Sequence, residues 1–242
     1  MIKTQIKKLF RRFGYRMVPV NYYHIDYYES LEAVRDHWLL KYNIQTVIDA
    51  GAGTGQFARR IRNTFSSASL ICFEPIDACF QEIQSYFKDD PHISLHKLAL
   101  GEQAGSFEFH VHKNPGSSSF LKMTDIHTNA YPGSGESESV VIQTIRLDEF
   151  LNNTTPDAEI MLKLDTQGTE LSILKGAGAW LDKMKVILVE LNFAETYEQC
   201  PLFDEVYHFL RAHHFSLAGI ENASQSLHDG SFLQCDAFFV KS

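Results

Sequence analysis

Three stretches of this 242-residue chain set reactive side chains at spacings suited to holding or transforming a ligand. The first is V-I-D-A-G-A-G-T-G, Val47 to Gly55, an apolar run that ends in an acid and alternating glycines. Glycines at a strand-to-helix turn let the backbone bend tightly and approach a ligand without a Cβ in the way. The candidate contacts there are Asp49, Gly51, Gly53, Thr54 and Gly55. The second is Glu74-Pro75, whose carboxylate follows Gly51 by 23 residues at the end of the next apolar run. A carboxylate so placed can accept hydrogen bonds from both hydroxyls of a ribose. The third is L-K-L-D-T-Q-G-T-E, Leu162 to Glu170. Its Lys163 and Asp165 lie two residues apart, on one face of a strand. Glu190 and Asn192 end another apolar run and belong at the same sheet edge.

The glycine spacing narrows the ligand. A dinucleotide fingerprint, G-x-G-x-x-G, requires its third glycine at 56, where this chain has Gln56 and places Gly55 one residue early. G-x-G-x-G preceded by an acid suits S-adenosylmethionine (SAM), which has no pyrophosphate to cradle and carries an ammonium that Asp49 could hold. A nicotinamide-dependent oxidoreductase and a non-catalytic nucleotide-binding protein use similar parts and stand as the alternatives. Asp165 is the first candidate for the reaction itself, with Glu190 the second choice of base and Lys163 an orienting cation. A histidine from residues 113–139 is a third possible base. No metal site is expected. His110 and His112 share a strand face without a third ligand at metal spacing and are read as solvated.

The elements that must position these residues follow from apolar periodicity. Strands are expected at 46–50, 70–73, 94–100, 107–111, 140–147, 160–164, 186–191, 215–220 and 237–240. Helices are expected at 57–65, 77–87, 170–181 and 203–214, with Asp77 as an N-cap. Strand and helix alternate, so the fold class is α/β with a largely parallel sheet. Residues 113–139, rich in Ser, Gly and Pro, read as a lid or a disordered segment, with Ser117–Leu121 as a substrate loop.

Composition bounds the rest. Hydrophobic residues make up 44% and charged residues 21%, values of a globular chain with a sizeable core. No apolar run approaches the ~18 residues that span a bilayer, and no apolar segment follows the basic start as in a signal peptide. Four cysteines without C-x-x-C pairing point to free thiols and a cytoplasmic location. The formal net charge is −8, yet residues 1–16 hold six basic residues and no acid. The remaining body has 16 basic against 30 acidic residues, which disfavours nucleic acid as a partner. Ile2, Ile6, Leu9, Phe10 and Phe13 share one helical face, so residues 2–13 suit docking on the body or weak contact with an anionic membrane. The expected division is an N-terminal helical extension over 1–40 and one domain over 41–242.

These blocks together resemble the FkbM family of SAM-dependent methyltransferases. The resemblance rests on VIDAGAGTG, FEP at Phe73–Pro75, LALGEQAG from Leu98 to Gly105, RLDEF from Arg146, LKLDTQGTELSILKGA from Leu162, VELNF and DAFFV. The family's block reads K-x-D-V-E-G-x-E, whereas this chain carries Thr166 and Gln167 in place of Val and Glu. The resemblance implies a Rossmann-like, seven-stranded class I methyltransferase fold with Ala99 among the cofactor contacts. It further implies methyl transfer to a hydroxyl of a small-molecule acceptor such as a sugar, glycolipid or natural product.

Overall fold

The structure is a computed structural model that describes residues 35–154, 156 and 159–241. The chain divides into two compact units, Met1–Trp38 and Leu39–Ser242, and the fold below is that of the second. The amphipathic stretch 2–13 lies outside the described residues.

Seven strands form the main sheet: β1 (Thr46–Ala50), β2 (Ser69–Phe73), β3 (Ile93–His96), β7 (Ile160–Leu164), β8 (Met184–Asn192), β9 (Phe215–Gln225) and β10 (Phe232–Lys241). Their order is β3-β2-β1-β7-β8-β10-β9, parallel apart from β10, which runs against both neighbours. This is the seven-stranded Rossmann-like order of class I methyltransferases. β1 and β7 are buried at every position, as expected of central parallel strands covered on both faces. The order reverses between β1 and β7, where an open α/β sheet leaves a crevice at its carboxyl edge. Asp49 pairs in register with Lys163 across that boundary.

The helices cover the sheet through their apolar stripes. α1 (Gln56–Thr64) buries Ala58 and Ile61, α2 (Asp77–Tyr86) buries Cys79 and Ile83, and α4 (Leu147–Thr154) buries Leu147, Phe150 and Leu151. Ile173 and Leu174 of α5 (Glu170–Gly176) join Val206 and Leu210 of α6 (Phe203–Ala212) in a core with Leu162, Ile187, Val189 and Phe239. Each such side chain contributes about 1.5–3 kcal/mol on full burial. All four cysteines are free and buried.

Several expectations change. The strand expected over 94–100 breaks after His96 and restarts as β4 (Ala99–Gly101), which leaves the main sheet. β4 pairs with β6 (Ser137–Arg146), and β6 with β5 (Gly105–His112), in a separate three-stranded sheet. The helix expected to reach Leu181 stops at Gly176 and yields to a 3₁₀ turn, Gly178–Lys183. Gly178 sits at φ +51, which breaks the α-helical path, yet Leu174 and Leu181 both stay buried. Asp77 is the first residue of α2 rather than its cap; the cap is Ile76, and Asp77 pairs with Lys97.

Another change concerns residues 113–139. They are neither disordered nor an open lid: a 3₁₀ turn (Pro115–Ser117) and α3 (Asp125–Ala130) pack on the body. Ser117, Ser118 and Ser119 are buried. The Ser118 hydroxyl accepts from the His112 amide at 3.0 Å, and the Ser119 hydroxyl donates to the Gln167 carbonyl at 2.7 Å. The serines thus hold the segment down. The same packing corrects His112, which is buried: its Nδ1 lies 2.7 Å from the Ser134 carbonyl.

Candidate active site

The carboxyl ends of β1, β2 and β7 carry the first group of candidate residues. β1 runs into Gly51, Gly53 and Gly55, all at positive φ. Their reasons differ. A Cβ on Gly51 would meet the Asp165 carbonyl at 2.0 Å, and one on Gly55 would meet Ile83 at 2.8 Å. A Cβ on Gly53 would have nothing within 4 Å. Gly51 and Gly55 are therefore required by packing, whereas Gly53 borders open space that a ligand can enter. The Thr54 and Gly55 carbonyls accept from the Arg59 guanidinium, which ties the turn to α1.

Glu74 folds back onto this turn. Its Oε2 accepts from the Gly53 amide at 2.7 Å and its Oε1 from Ile76 at 2.8 Å, with Pro75 in between. Burial pushes its pKa up, while the two amide donors pull it down. Each carboxylate oxygen has a second lone pair, so two more donors can be accepted.

Asp49 and Lys163 meet beneath the turn. Lys163 Nζ lies 3.0 Å from Asp49 Oδ1 and 3.5 Å from Asp165 Oδ2, and donates to the Gly51 carbonyl at 2.8 Å. The flanking carboxylates raise the Lys163 pKa despite burial, so the ammonium stays charged. Burial pushes Asp49 up against the pull of Lys163. Both Asp49 oxygens are closed off, which leaves no opening for the ligand ammonium expected there. The pair instead fixes the shape of the glycine turn. Lys163, expected to orient a substrate, is engaged in the same task.

Beyond Lys163 the β7–α5 turn presents Asp165, whose side chain is 42% exposed. Glu190 is buried behind it, and its pKa is raised well above the usual range by burial and then by Asp165, Glu170 and Asp236. Its Oε1 accepts from Gln234 at 2.5 Å and its Oε2 from Gln167 at 2.8 Å. Glu170 is buried and accepts from the amides of Thr166 and Gly168, so its carboxylate braces its own turn. Asn192 accepts from the Thr196 hydroxyl at 2.8 Å. Ala99 is buried at the start of β4 and pairs with Thr144.

Sequence reasoning missed Gln167 and Tyr197. The Tyr197 hydroxyl is buried 2.9 Å from both the Gln167 Oε1 and the Ser117 carbonyl, and 3.4 Å from His127 Nε2. His127 comes from the 113–139 segment, as one possible base did, but it is buried and desolvation lowers its pKa to about 4. No group of three or more His, Cys, Asp or Glu suited to a metal ion occurs among the described residues. No described helix is long and apolar enough to cross a membrane.

The chain is 25% identical over 163 residues to "2-O-methyltransferase NoeI" of Sinorhizobium fredii (strain NBRC 101917 / NGR234), covering 64% of this chain and 67% of that protein. It is 25% identical over 175 residues to "Methyltransferase sdnD" of Sordaria araneosa, covering 63% and 66%. The matches thus span about two thirds of these curated relatives. Among solved structures, precorrin-6y C5,15-methyltransferase from Geobacter metallireducens GS-15 aligns with 14% identity and a TM-score of 0.43, over 82% of this chain and 81% of that one. The model of the methyltransferase FkbM domain matches residues 49–217, from the acid of the glycine turn into β9. That match takes in more than half of the sequence, and the chain belongs to the FkbM methyltransferase family.

Proposed function

We propose that this protein transfers a methyl group from SAM to a hydroxyl of a small-molecule acceptor. The observation that carries the reading is the junction of two parts at one sheet edge. An open glycine turn braced by Glu74 stands beside a half-exposed carboxylate, Asp165, and Lys163 touches both parts. The relatives' names, one of them a 2-O-methyltransferase, support oxygen as the acceptor atom.

The residues fit SAM. Glu74 has acceptor capacity left for two ribose hydroxyls, and Gly53 leaves room for close approach. SAM held by the turn and Glu74 would supply an electrophilic methyl carbon on a sulfonium centre, the C–O bond forming as the C–S bond breaks and its electron pair staying on sulfur. The turn and Glu74 fix the donor's place, so much of the rate comes from alignment of the acceptor oxygen behind the methyl carbon. Asp165, exposed at that edge, takes the hydroxyl proton. An acidic group near a cation that loses its charge in the transition state stabilises the ground state at least as well, so Glu74 serves binding rather than the step itself.

Two consequences concern the cofactor. Gly53→Val places a branched side chain in the open space beside the turn, and SAM binding should disappear in calorimetry. A protein that keeps native circular dichroism and binds SAM like wild type would move the site elsewhere. Glu74→Ala should weaken SAM and S-adenosylhomocysteine together by about 1.5–3 kcal/mol, the value of hydrogen bonds to a charged group. Unchanged affinity for both would remove Glu74 from the site.

The acceptor is found by incubating methyl-labelled SAM with panels of sugars, glycolipids and natural-product alcohols. Label transferred to oxygen supports the reading. Label transferred only to nitrogen or carbon would replace the hydroxyl acceptor with another class.

A further inference from the structure

Gln167 has no part in the reaction outlined above, yet its surroundings are more constrained than those of its neighbours. It stands at φ 54 in the turn from β7 into α5, a left-handed conformation that L residues other than Asn and Asp rarely adopt. The residue is buried, and every polar atom of its side chain has a partner. Nε2 lies 2.9 Å from Asp165 Oδ1 and 2.8 Å from Glu190 Oε2, so its two N–H bonds serve two carboxylates. Oε1 lies 2.9 Å from the Tyr197 hydroxyl, and the backbone carbonyl accepts from Ser119 at 2.7 Å. Ionised carboxylates only accept, so the amide nitrogen faces them and the amide oxygen faces the tyrosine.

This arrangement answers an electrostatic difficulty. Glu190 is faced by Asp165, Glu170 and Asp236, all acidic, while Gln234 donates to its Oε1 and Lys163 pairs with Asp165. Without a donor between them, Asp165 and Glu190 would repel when both are ionised, and Asp165 would be left with Lys163 at 3.5 Å. We infer that Gln167 is a positioning residue: its amide bridges Asp165 and Glu190 and holds them as one acid–base pair, with Asp165 open to the acceptor hydroxyl and Glu190 buried behind it. The pair takes one proton from the acceptor as the C–O bond forms, and the amide stays hydrogen-bonded to both members. Tyr197, in the loop after β8, holds the side-chain amide through its oxygen, and Ser119, in the 113–139 segment, holds the residue's backbone carbonyl. The inference rests on the methyl-transfer reading for the proton's origin, but the bridge itself is testable without an acceptor.

The test uses the full-length protein with ¹³C-labelled carboxyl carbons. The Asp165 and Glu190 signals are assigned with Asp165→Asn and Glu190→Gln and followed by NMR against pH. Gln167→Met keeps the side chain's length and removes both donors. Glu190 should then bind its proton about tenfold more tightly, the expected loss of one charge-assisted hydrogen bond. Gln167→Glu, which retains an acceptor for Tyr197, guards against a Met variant that fails to fold and should shift Glu190 in the same direction by at least as much. Tyr197→Phe leaves the donors in place and should change proton binding less than threefold. A folded Gln167 variant with lowered thermal stability but wild-type titration of Glu190 would overturn the inference and leave Gln167 as a loop brace. Calorimetry with SAM on the wild-type sample separates the two claims. A shifted Glu190 in a protein that does not bind SAM would sink the methyl-transfer reading, and with it the role in positioning, while the bridge would remain.

Discussion

Replacing Asp165 by asparagine should lower turnover by roughly 10²–10⁴-fold once an acceptor is in hand, the loss expected when a general base is removed. The substitution keeps size and shape and removes the charge. Of the carboxylates gathered at this edge, Asp49, Glu170 and Glu190 are buried, while Asp165 is 42% exposed in its side chain. Asp165 is therefore the one placed to meet a hydroxyl arriving from solvent. SAM affinity should fall much less, because the glycine turn and Glu74 are untouched. Steady-state kinetics and calorimetry on the same preparation separate the two effects. Full turnover in Asp165→Asn would transfer the role to Glu190, and a large loss of stability with turnover intact would make Asp165 a cap of the β7–α5 turn.

The largest effect on stability should come from Lys163→Met. Lys163 and Asp49 are both buried, and the ammonium also holds the Gly51 carbonyl. Removing one member of a buried ion pair leaves an uncompensated charge and costs about 3–5 kcal/mol. Asp49→Asn together with Lys163→Met removes both charges and should recover most of that loss in urea unfolding, since replacing a whole buried pair is often close to neutral. The double variant should still bind SAM poorly, because the Gly51 carbonyl has lost its donor and the turn is no longer held. Equal stability of the single and double variants would show that the pair is not coupled.

Much of this site was legible because its signals are local. The glycines of the turn, the acid 23 residues on at Glu74, and Asp165 at the end of an apolar strand all lie within recognisable strand–turn–helix units. Periodicity located the strands of the main sheet, though β9 runs five residues past the expected 215–220 and β10 begins five residues before the expected 237–240; nothing in L-H-K-L-A-L marks the break after His96. Residues whose role depends on distant partners were invisible. Gln167 meets Tyr197 30 residues on and Ser119 48 residues back, and no spacing rule connects them. His112 read as solvated because alternation describes a strand's two faces and is silent on what covers them; here Ser118 and Ser134 of the following segment do. Asp49 and Lys163 were each singled out as contacts for a ligand or substrate, yet their pairing across β1 and β7 is set by sheet order, which a linear sequence does not display.

Calorimetric titration of the purified protein with SAM and, separately, with NAD tests the donor assignment most directly. Both ligands would use the same glycine turn and the same acid at the end of β2, so the comparison turns on the missing third glycine at Gln56. The expected result is one SAM per chain, weakened by Glu74→Ala and abolished by Gly53→Val, with no heat from NAD. Saturable binding of NAD with none of SAM would contradict it.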